Sequence, residues 1–313
     1  MTEILECLCR ETEAGRCCVL AAVAERSGSA PRGAGALMAV GSGGYLAGSV
    51  GGGAVEQRAL ELAEEALRRR SGALHRLSLS ALGMLCGGEV TLLLTFVPAQ
   101  AVPWQALLSR AAEGGGTLVL RPNGAPELLD GQTPVAPELR GDTLRLPLVP
   151  RPRAVLFGAG HCGRALTPIL ASVGFAVTVY DDRPAFADAG ALPDAARVIC
   201  GSYDAVAAQL EPRRGDYVVI MTAGHASDLE VLSQALRWET AYIGLIGSAK
   251  KRAAVAARLA ALGFPPEAAE RVHTPIGLPI LAVSPAEIAV SIAAELIRCR
   301  AEENLKKQLQ SDA

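Results

Sequence analysis

The stretch that most restricts how this chain can fold is residues 153–182, Arg-Ala-Val-Leu-Phe-Gly-Ala-Gly-His-Cys-Gly-Arg through Thr-Val-Tyr-Asp-Asp. Residues 154–157 form an apolar run with the length and β-branching of a buried strand. It ends at Gly158, Gly160 and Gly163, spaced as G-x-G-x-x-G. A helical pattern follows, with Leu166, Ile169 and Leu170 on one face, and residues 176–180 make a second buried strand that closes on Asp181 and Asp182. The spacing has a chemical reading. Gly158 allows a tight turn, Gly160 lets backbone approach a pyrophosphate, and Gly163 lets the helix pack on the strand. The helix N-terminus offers unpaired N–H groups to an anion, and an acid at the end of the second strand can accept from ribose hydroxyls. Strand, glycines, helix, strand and acid in this order predict a Rossmann-like unit.

Length and charge narrow the remainder. With 313 residues the chain has room for two domains of ordinary size. Its formal net charge of −2 gives no reason to expect nucleic acid or an anionic membrane as partner. Aromatics at 4 % argue against a stacking platform for single strands. No apolar run approaches the ~18 residues of a membrane span, and the first ten residues lack the basic start of a signal peptide. The eight cysteines show no disulfide framework and no Cys-x-x-Cys pair, so a reduced, cytoplasmic protein is expected.

The first half reads as a smaller mixed α/β domain over 1–146. A helix over 2–14 precedes an apolar strand over 17–24, a turn-rich loop Ser27-Gly-Ser-Ala-Pro-Arg-Gly33, and a hairpin over 36–47. Gly48-Ser-Val-Gly-Gly-Gly-Ala-Val-Glu56 then opens a helix whose apolar face holds Ala59, Leu62, Ala63 and Ala66. Gly51, Gly52 and Gly53, with Ser49 and Glu56, have the makings of a backbone nest for a phosphate, or of a flexible connection. Strands over 74–79 and 90–97 flank the loop Gly83-Met-Leu-Cys-Gly-Gly88. Residues 103–146 alternate turns with short apolar runs, and three prolines in 147–152 predict a linker.

From 153 to 313 strands alternate with helices, which predicts a parallel, doubly wound sheet. Further strands are expected over 197–200, 217–221 and 242–246. Ligands of such sheets lie outside the carboxyl ends of the strands. That edge would gather Gly158, Gly160, His161, Gly163, Asp181, Asp182, Thr222, His225 and Ser248. His161 and His225 could each contact a ligand or simply stand in solvent, and no metal-ligand spacing links them. Ser284-Pro-Ala-Glu287 forms a capping box ahead of the last helix, expected to run to about residue 303. The Ala and Leu content of that helix suits a homodimer face and suits intramolecular packing equally.

Taken together, these motifs resemble the XdhC/CoxI family, the accessory factors of xanthine dehydrogenase and related molybdenum hydroxylases. The likeness covers nearly the full length. It rests on Gly48-Ser-Val-Gly-Gly-Gly-Ala-Val-Glu56, Leu85-Cys-Gly-Gly88, Phe157-Gly-Ala-Gly-His-Cys-Gly163, Thr222-Ala-Gly-His-Ala-Ser-Asp228, Tyr242-Ile-Gly-Leu-Ile-Gly-Ser248, and Pro275-Ile-Gly-Leu through Glu287 to Glu295. The resemblance implies a protein that binds molybdenum cofactor (molybdopterin), guards its sulfurated form and delivers it to an apo-hydroxylase, without turnover of its own. A cysteine desulfurase is a further partner it would suit. One position departs from the family pattern: Ala54 stands where the family has Cys after the glycines. Cys86 is then the only thiol of the two, as a molybdenum or sulfur contact or as a small buried residue.

Two other readings stay open at this stage. The glycine triplet and Asp182 would serve an NAD(P)-dependent oxidoreductase, and a nucleotide bound without turnover would make the chain a regulatory sensor. The carrier reading expects the glycine turns of both halves to face a common crevice.

Overall fold

The computed structural model describes residues 1–84, 87–99, 104–131 and 133–311. The chain divides into two compact units, Met1–Pro150 and Arg151–Ala313.

The first unit opens with α1 (Thr2–Glu13), followed by β1 (Cys18–Ser27), β2 (Leu37–Gly41) and β3 (Gly44–Gly48). Next come α2 (Gly53–Arg69), β4 (Ala73–Ser78) and β5 (Glu89–Val97). These strands make one antiparallel sheet in the order β3-β2-β1-β5-β4. Central β1 is buried over its first seven residues because both sheet faces are covered. Leu20 and Ala22 join a core with Leu5 and Leu8 of α1, while Val19, Ala21 and Val23 pack with Ala59 and Leu62 of α2. Where the sequence promises only short apolar runs, the chain forms α3 (Trp104–Glu113) and then β6 (Thr117–Leu120), β7 (Glu127–Leu129), β8 (Glu138–Arg140) and β9 (Thr143–Pro147). The last four pair as a second antiparallel sheet, β7-β6-β9-β8. Pro147 closes β9 rather than opening a linker: it pairs opposite Thr117, and Leu148 still exchanges backbone hydrogen bonds with Gly115 and Gly116. A proline at the end of a strand forfeits only one donor.

The second unit runs β10 (Arg153–Phe157), α4 (His161–Ser172), β11 (Ala176–Asp181), β12 (Arg197–Cys200), α5 (Val206–Gln209), β13 (Tyr217–Ile220) and α6 (His225–Ala235). It continues with β14 (Tyr242–Leu245), α7 (Ala249–Ala261), α8 (Pro266–Glu270), β15 (Val272–His273) and α9 (Pro285–Ser311). All six strands are parallel, in the order β12-β11-β10-β13-β14-β15. Numbered within the unit this is 3-2-1-4-5-6, the doubly wound Rossmann order, and its switch point falls between β10 and β13. Successive residues alternate faces: Ala154 and Leu156 pack toward α4 and α9, Val155 and Phe157 toward α5 to α8. The capping box forms as expected, with Ser284 N–H on Glu287 Oε2 at 2.8 Å and Glu287 N–H on Ser284 Oγ at 3.3 Å. The final helix continues past residue 303 to Ser311. Among the described residues no helix is long and apolar enough to cross a membrane.

Candidate functional site

In the first unit three glycine-rich loops meet at one end. Gly88 lies so close to the loop after β1 that an added Cβ would fall 2.4 Å from Ser27 O and 2.6 Å from Ser29 O. Gly51 approaches the same loop, where a Cβ would sit 2.9 Å from Pro31. The Gly83–Gly88 loop, the 27–33 loop and the start of α2 are thereby neighbours. Cys86 itself lies outside the described residues, two positions from that Gly88 contact.

The start of α2 is not an open nest. Its N-cap Gly52 has φ +67°, a conformation that favours glycine. Glu56 folds back onto it: Oε2 accepts Gly52 N–H at 3.2 Å and the Ser49 hydroxyl at 2.6 Å. Ser49 Oγ in turn accepts Gly51 N–H at 3.3 Å. The carboxylate complements the helix dipole and stands where an external anion would bind. Gly53 and Ala54 follow as the first two residues of the helix.

The glycine turn of the second unit is built differently. Gly158 has φ +116°, and a Cβ there would lie 2.2 Å from Met221 O. A Cβ on Gly163 would lie 2.1 Å from Gly158 O. These two glycines hold the turn against the ends of β13 and α4, as their spacing predicts. Gly160, the N-cap of α4, has open space above it, and α4 carries no acid in its first turn. Four residues beyond that N-cap stands Arg164, exposed, with its guanidinium 5.4 Å from the Phe186 ring centroid. His161, the first residue of α4, is exposed. Sequence reasoning passed over Arg164; its offset from Gly160, identical to that of Glu56 from Gly52, was the available signal.

Asp181 has a different task from the one its position suggests. It is fully buried and both its oxygens are taken. Oδ2 accepts Ala159 N–H at 2.7 Å, and Arg183 grips both oxygens at 2.8 Å. Burial drives the carboxyl up, but the hydrogen bonds from Arg183 and Ala159 more than offset that and hold it below its ordinary value. Asp181 therefore ties the glycine turn to β11. The acid exposed at this edge is Asp182, 43 % open.

Beyond β13, Thr222 is anchored rather than free. Its N–H donates to Asp228 Oδ1 at 3.0 Å, and its hydroxyl lies 2.7 Å from the same oxygen. Asp228 is buried in the first turn of α6 and braces this loop. His225 is 89 % exposed, with Nδ1 4.0 Å from Asp228 Oδ2. His225 and Ser248 do share a cleft of about 950 Å³ between α6 and α7. Its lining is apolar at Leu232, Leu245 and Val255 and carries charges at Asp228, Glu230 and Arg258. His161 does not line it. Among the described residues no group of three or more His, Cys, Asp or Glu could hold a metal ion.

A parallel sheet of this order, with a glycine turn and open helix N-terminus at its switch point, defines the second unit as a Rossmann-type domain carried behind an antiparallel α/β unit. The matching family models give the lineage: residues 154–296 match the XdhC Rossmann domain and residues 12–78 match the XdhC and CoxI family. The chain belongs to the XdhC and CoxI family. It is 34 % identical over 151 residues to a probable xanthine dehydrogenase subunit of Bacillus subtilis, covering 48 % of this chain and 44 % of that one. It is 26 % identical over 287 residues to YqeB of Escherichia coli, covering 90 % of this chain and 43 % of that one. The chain thus spans less than half the length of these curated relatives. In three dimensions it is similar to a xanthine dehydrogenase from Bacillus halodurans, with a TM-score of 0.78, 27 % identity and 96 % of each chain covered.

Proposed function

We propose that this chain is an accessory factor of a xanthine dehydrogenase-type molybdenum hydroxylase, which binds molybdenum cofactor and passes its sulfurated form to that enzyme. The observation that carries the reading is the presence of both family domains, in order, on one chain. The cofactor carries a phosphate, and the two glycine-rich helix starts can be tested against it. At α2 the fit fails, because the Glu56 carboxylate already occupies Gly52 N–H and would repel a second anion. What supports α4 instead is that Gly160 leaves room, the first turn holds no acid, and exposed Arg164 supplies a cation four residues on. In this reading Gly160, His161 and Arg164 hold the phosphate, while Ser49, Gly51, Gly52, Gly53 and Glu56 shape a loop beside the Cys86 motif. When bound, the cofactor would supply the molybdenum–sulfur chemistry.

The test is to purify the full chain from cells that make the cofactor, then assay it for molybdenum and for pterin fluorescence. Retained pterin that falls by about tenfold in Arg164→Glu is expected, since one favourable charge becomes an unfavourable one. A chain that retains no pterin and leaves activation of an apo-hydroxylase unchanged would overturn the reading.

The second reading, a nucleotide-binding oxidoreductase or sensor, is favoured by the 3-2-1-4-5-6 order together with exposed Asp182 as a ribose acceptor. Calorimetric titration with NAD and NADP followed by a turnover screen separates the two. Tight binding with turnover would replace the carrier role.

A further inference from the structure

The last strand of the second sheet holds a polar cluster that no motif spacing announces. Val272 of β15 packs with the α5 to α8 core, and His273 meets Tyr242 instead, their ring centroids 4.5 Å apart. Tyr242 belongs to the α4 and α9 core and is 2 % exposed. Behind both rings stands Glu295 of α9, 5 % exposed. Glu295 Oε2 accepts the Tyr242 hydroxyl at 2.6 Å and Gly277 N–H at 2.7 Å. Oε1 lies 3.2 Å from His273 Nδ1 and 3.6 Å from Arg298 Nη2. Burial alone would raise the Glu295 carboxyl; the hydrogen bonds from His273, Tyr242 and Gly277 outweigh it and hold the group below its ordinary value. Burial, then the Glu295 carboxylate, pushes the Tyr242 hydroxyl far up, so it remains a donor.

An ionised Glu295 accepts only, so the proton on the His273 ring must sit on Nδ1. In the neutral ring Nε2 then carries the lone pair. The side chain is 39 % exposed, and among the described residues none meets Nε2. The arrangement is that of an imidazole oriented by a buried carboxylate, the form in which histidine serves as a general base. Its position fits the task. His273 ends β15, at the carboxyl edge of the sheet where ligands of such folds bind. Ile276 N–H donates to Leu245 O at 3.2 Å, which lays the following loop along the end of β14. Next to His273, the Thr274 hydroxyl is buried and has no partner among the described residues. The other charged groups nearby are engaged: Arg298 is shared between Glu295 and Glu302, and Arg271 donates to Leu236 O and Trp238 O.

We propose that His273 is a proton-accepting residue of the second unit. Its Nε2 lone pair takes the proton of an acidic N–H, O–H or S–H group on a ligand bound at the ends of β14 and β15. The ligand keeps the bonding electron pair as an anion, and the imidazolium is paired with Glu295. Glu295 is the positioning residue, itself held by Tyr242 and Gly277. The inference holds whichever cofactor the chain carries.

The experiment uses the full chain, ¹⁵N NMR of the histidine rings, and p-nitrophenyl acetate as a probe of basic imidazole. The expected spectrum shows His273 protonated at Nδ1 and bare at Nε2. Exposed histidines in water favour the opposite tautomer, so exposed His161 serves as an internal reference. Glu295→Gln should reverse the His273 tautomer: the glutamine oxygen satisfies Tyr242 and Gly277, and its NH₂ then faces Nδ1. Ester cleavage above the level of the other histidines should be lost in both His273→Gln and Glu295→Gln. A proton found on Nε2 in the unaltered chain, or an ester-cleavage rate unchanged in His273→Gln, would overturn the proposal. If Glu295→Gln fails to fold, those two measurements still decide the matter.

Discussion

Two helices in this chain start from runs of glycine, and they end up with opposite chemistry. Gly52 caps α2 and Gly160 caps α4. Four residues on, α2 has Glu56 and α4 has Arg164. Glu56 turns back and uses the loop's donors, so the first unit closes its own anion seat. Arg164 is exposed and brings a positive charge where α2 has a negative one. Glycine spacing produces a loop that can bind an anion; the residue one helical turn later decides whether it does.

The severest break of the comparison is to close the second turn sterically. Gly163→Ala puts a methyl 2.1 Å from Gly158 O, and Gly158→Ala adds a strained φ to a 2.2 Å clash with backbone. Each should cost about 3 kcal/mol or more and unfold the second unit first. The chain has two tryptophans, Trp104 in the first unit and Trp238 in the second. Single-tryptophan variants, Trp238→Phe and Trp104→Phe, therefore report each unit separately by fluorescence. Gly160→Ala is the matched control: nothing lies within 4 Å of its Cβ, so stability should stay within about 0.5 kcal/mol.

Acid should separate the units next. Among the buried carboxyls of the second unit, Asp181 and Glu295 are held below their ordinary values of 3.8 and 4.5. A depressed folded-state value means stability that is complete above the unfolded value and lost as pH falls through the folded one. Denaturant melts read through Trp238 should weaken progressively below pH 4.5, and Asp181→Asn should flatten part of that slope. A slope unchanged in Asp181→Asn would mean the Arg183 and Ala159 contacts contribute no acid sensitivity.

How far the two starts could be told apart from sequence depends on how local the deciding contact is. Strand, glycines and helix over 153–172 obey short-range periodicity, and the structure keeps them there. Glu56 was readable too, since its partners Ser49 and Gly52 lie within seven residues. Asp181 and Asp182 were not separable: they are adjacent acids, and only folding onto Ala159, 22 residues away, buries one of them. The Glu295 cluster was invisible for the same reason, because Tyr242 precedes it by 53 residues and β15 is two residues long. In α3 the helical stripe is ten residues long, so it resembles short apolar runs until Trp104 donates to Thr12 across 92 positions.

A charge swap sharpens the comparison with a smaller effect. Arg164→Glu gives α4 the acid that α2 already has. Its carboxylate should fold onto Gly160 as Glu56 does onto Gly52, and affinity for inorganic phosphate in the second unit should drop by about tenfold. Stability should move by less than about 1 kcal/mol, because the position is exposed.

The smallest effect is the reciprocal one, and it tests the rule most directly. Glu56→Ala removes the carboxylate that accepts Gly52 N–H and the Ser49 hydroxyl, costing about 1 kcal/mol, the usual worth of a lost helix cap. The same change opens the seat at α2. Phosphate should then raise the midpoint of the Trp104 transition in the variant, by the mass action of a ligand that binds only the folded form. In the unaltered chain the Trp104 transition should respond less to phosphate, because the Glu56 carboxylate already holds Gly52 N–H and the Ser49 hydroxyl and repels a second anion. Equal phosphate responses in the two proteins would mean that the acid one turn into a helix does not govern its anion site, and the contrast between α2 and α4 would need another cause.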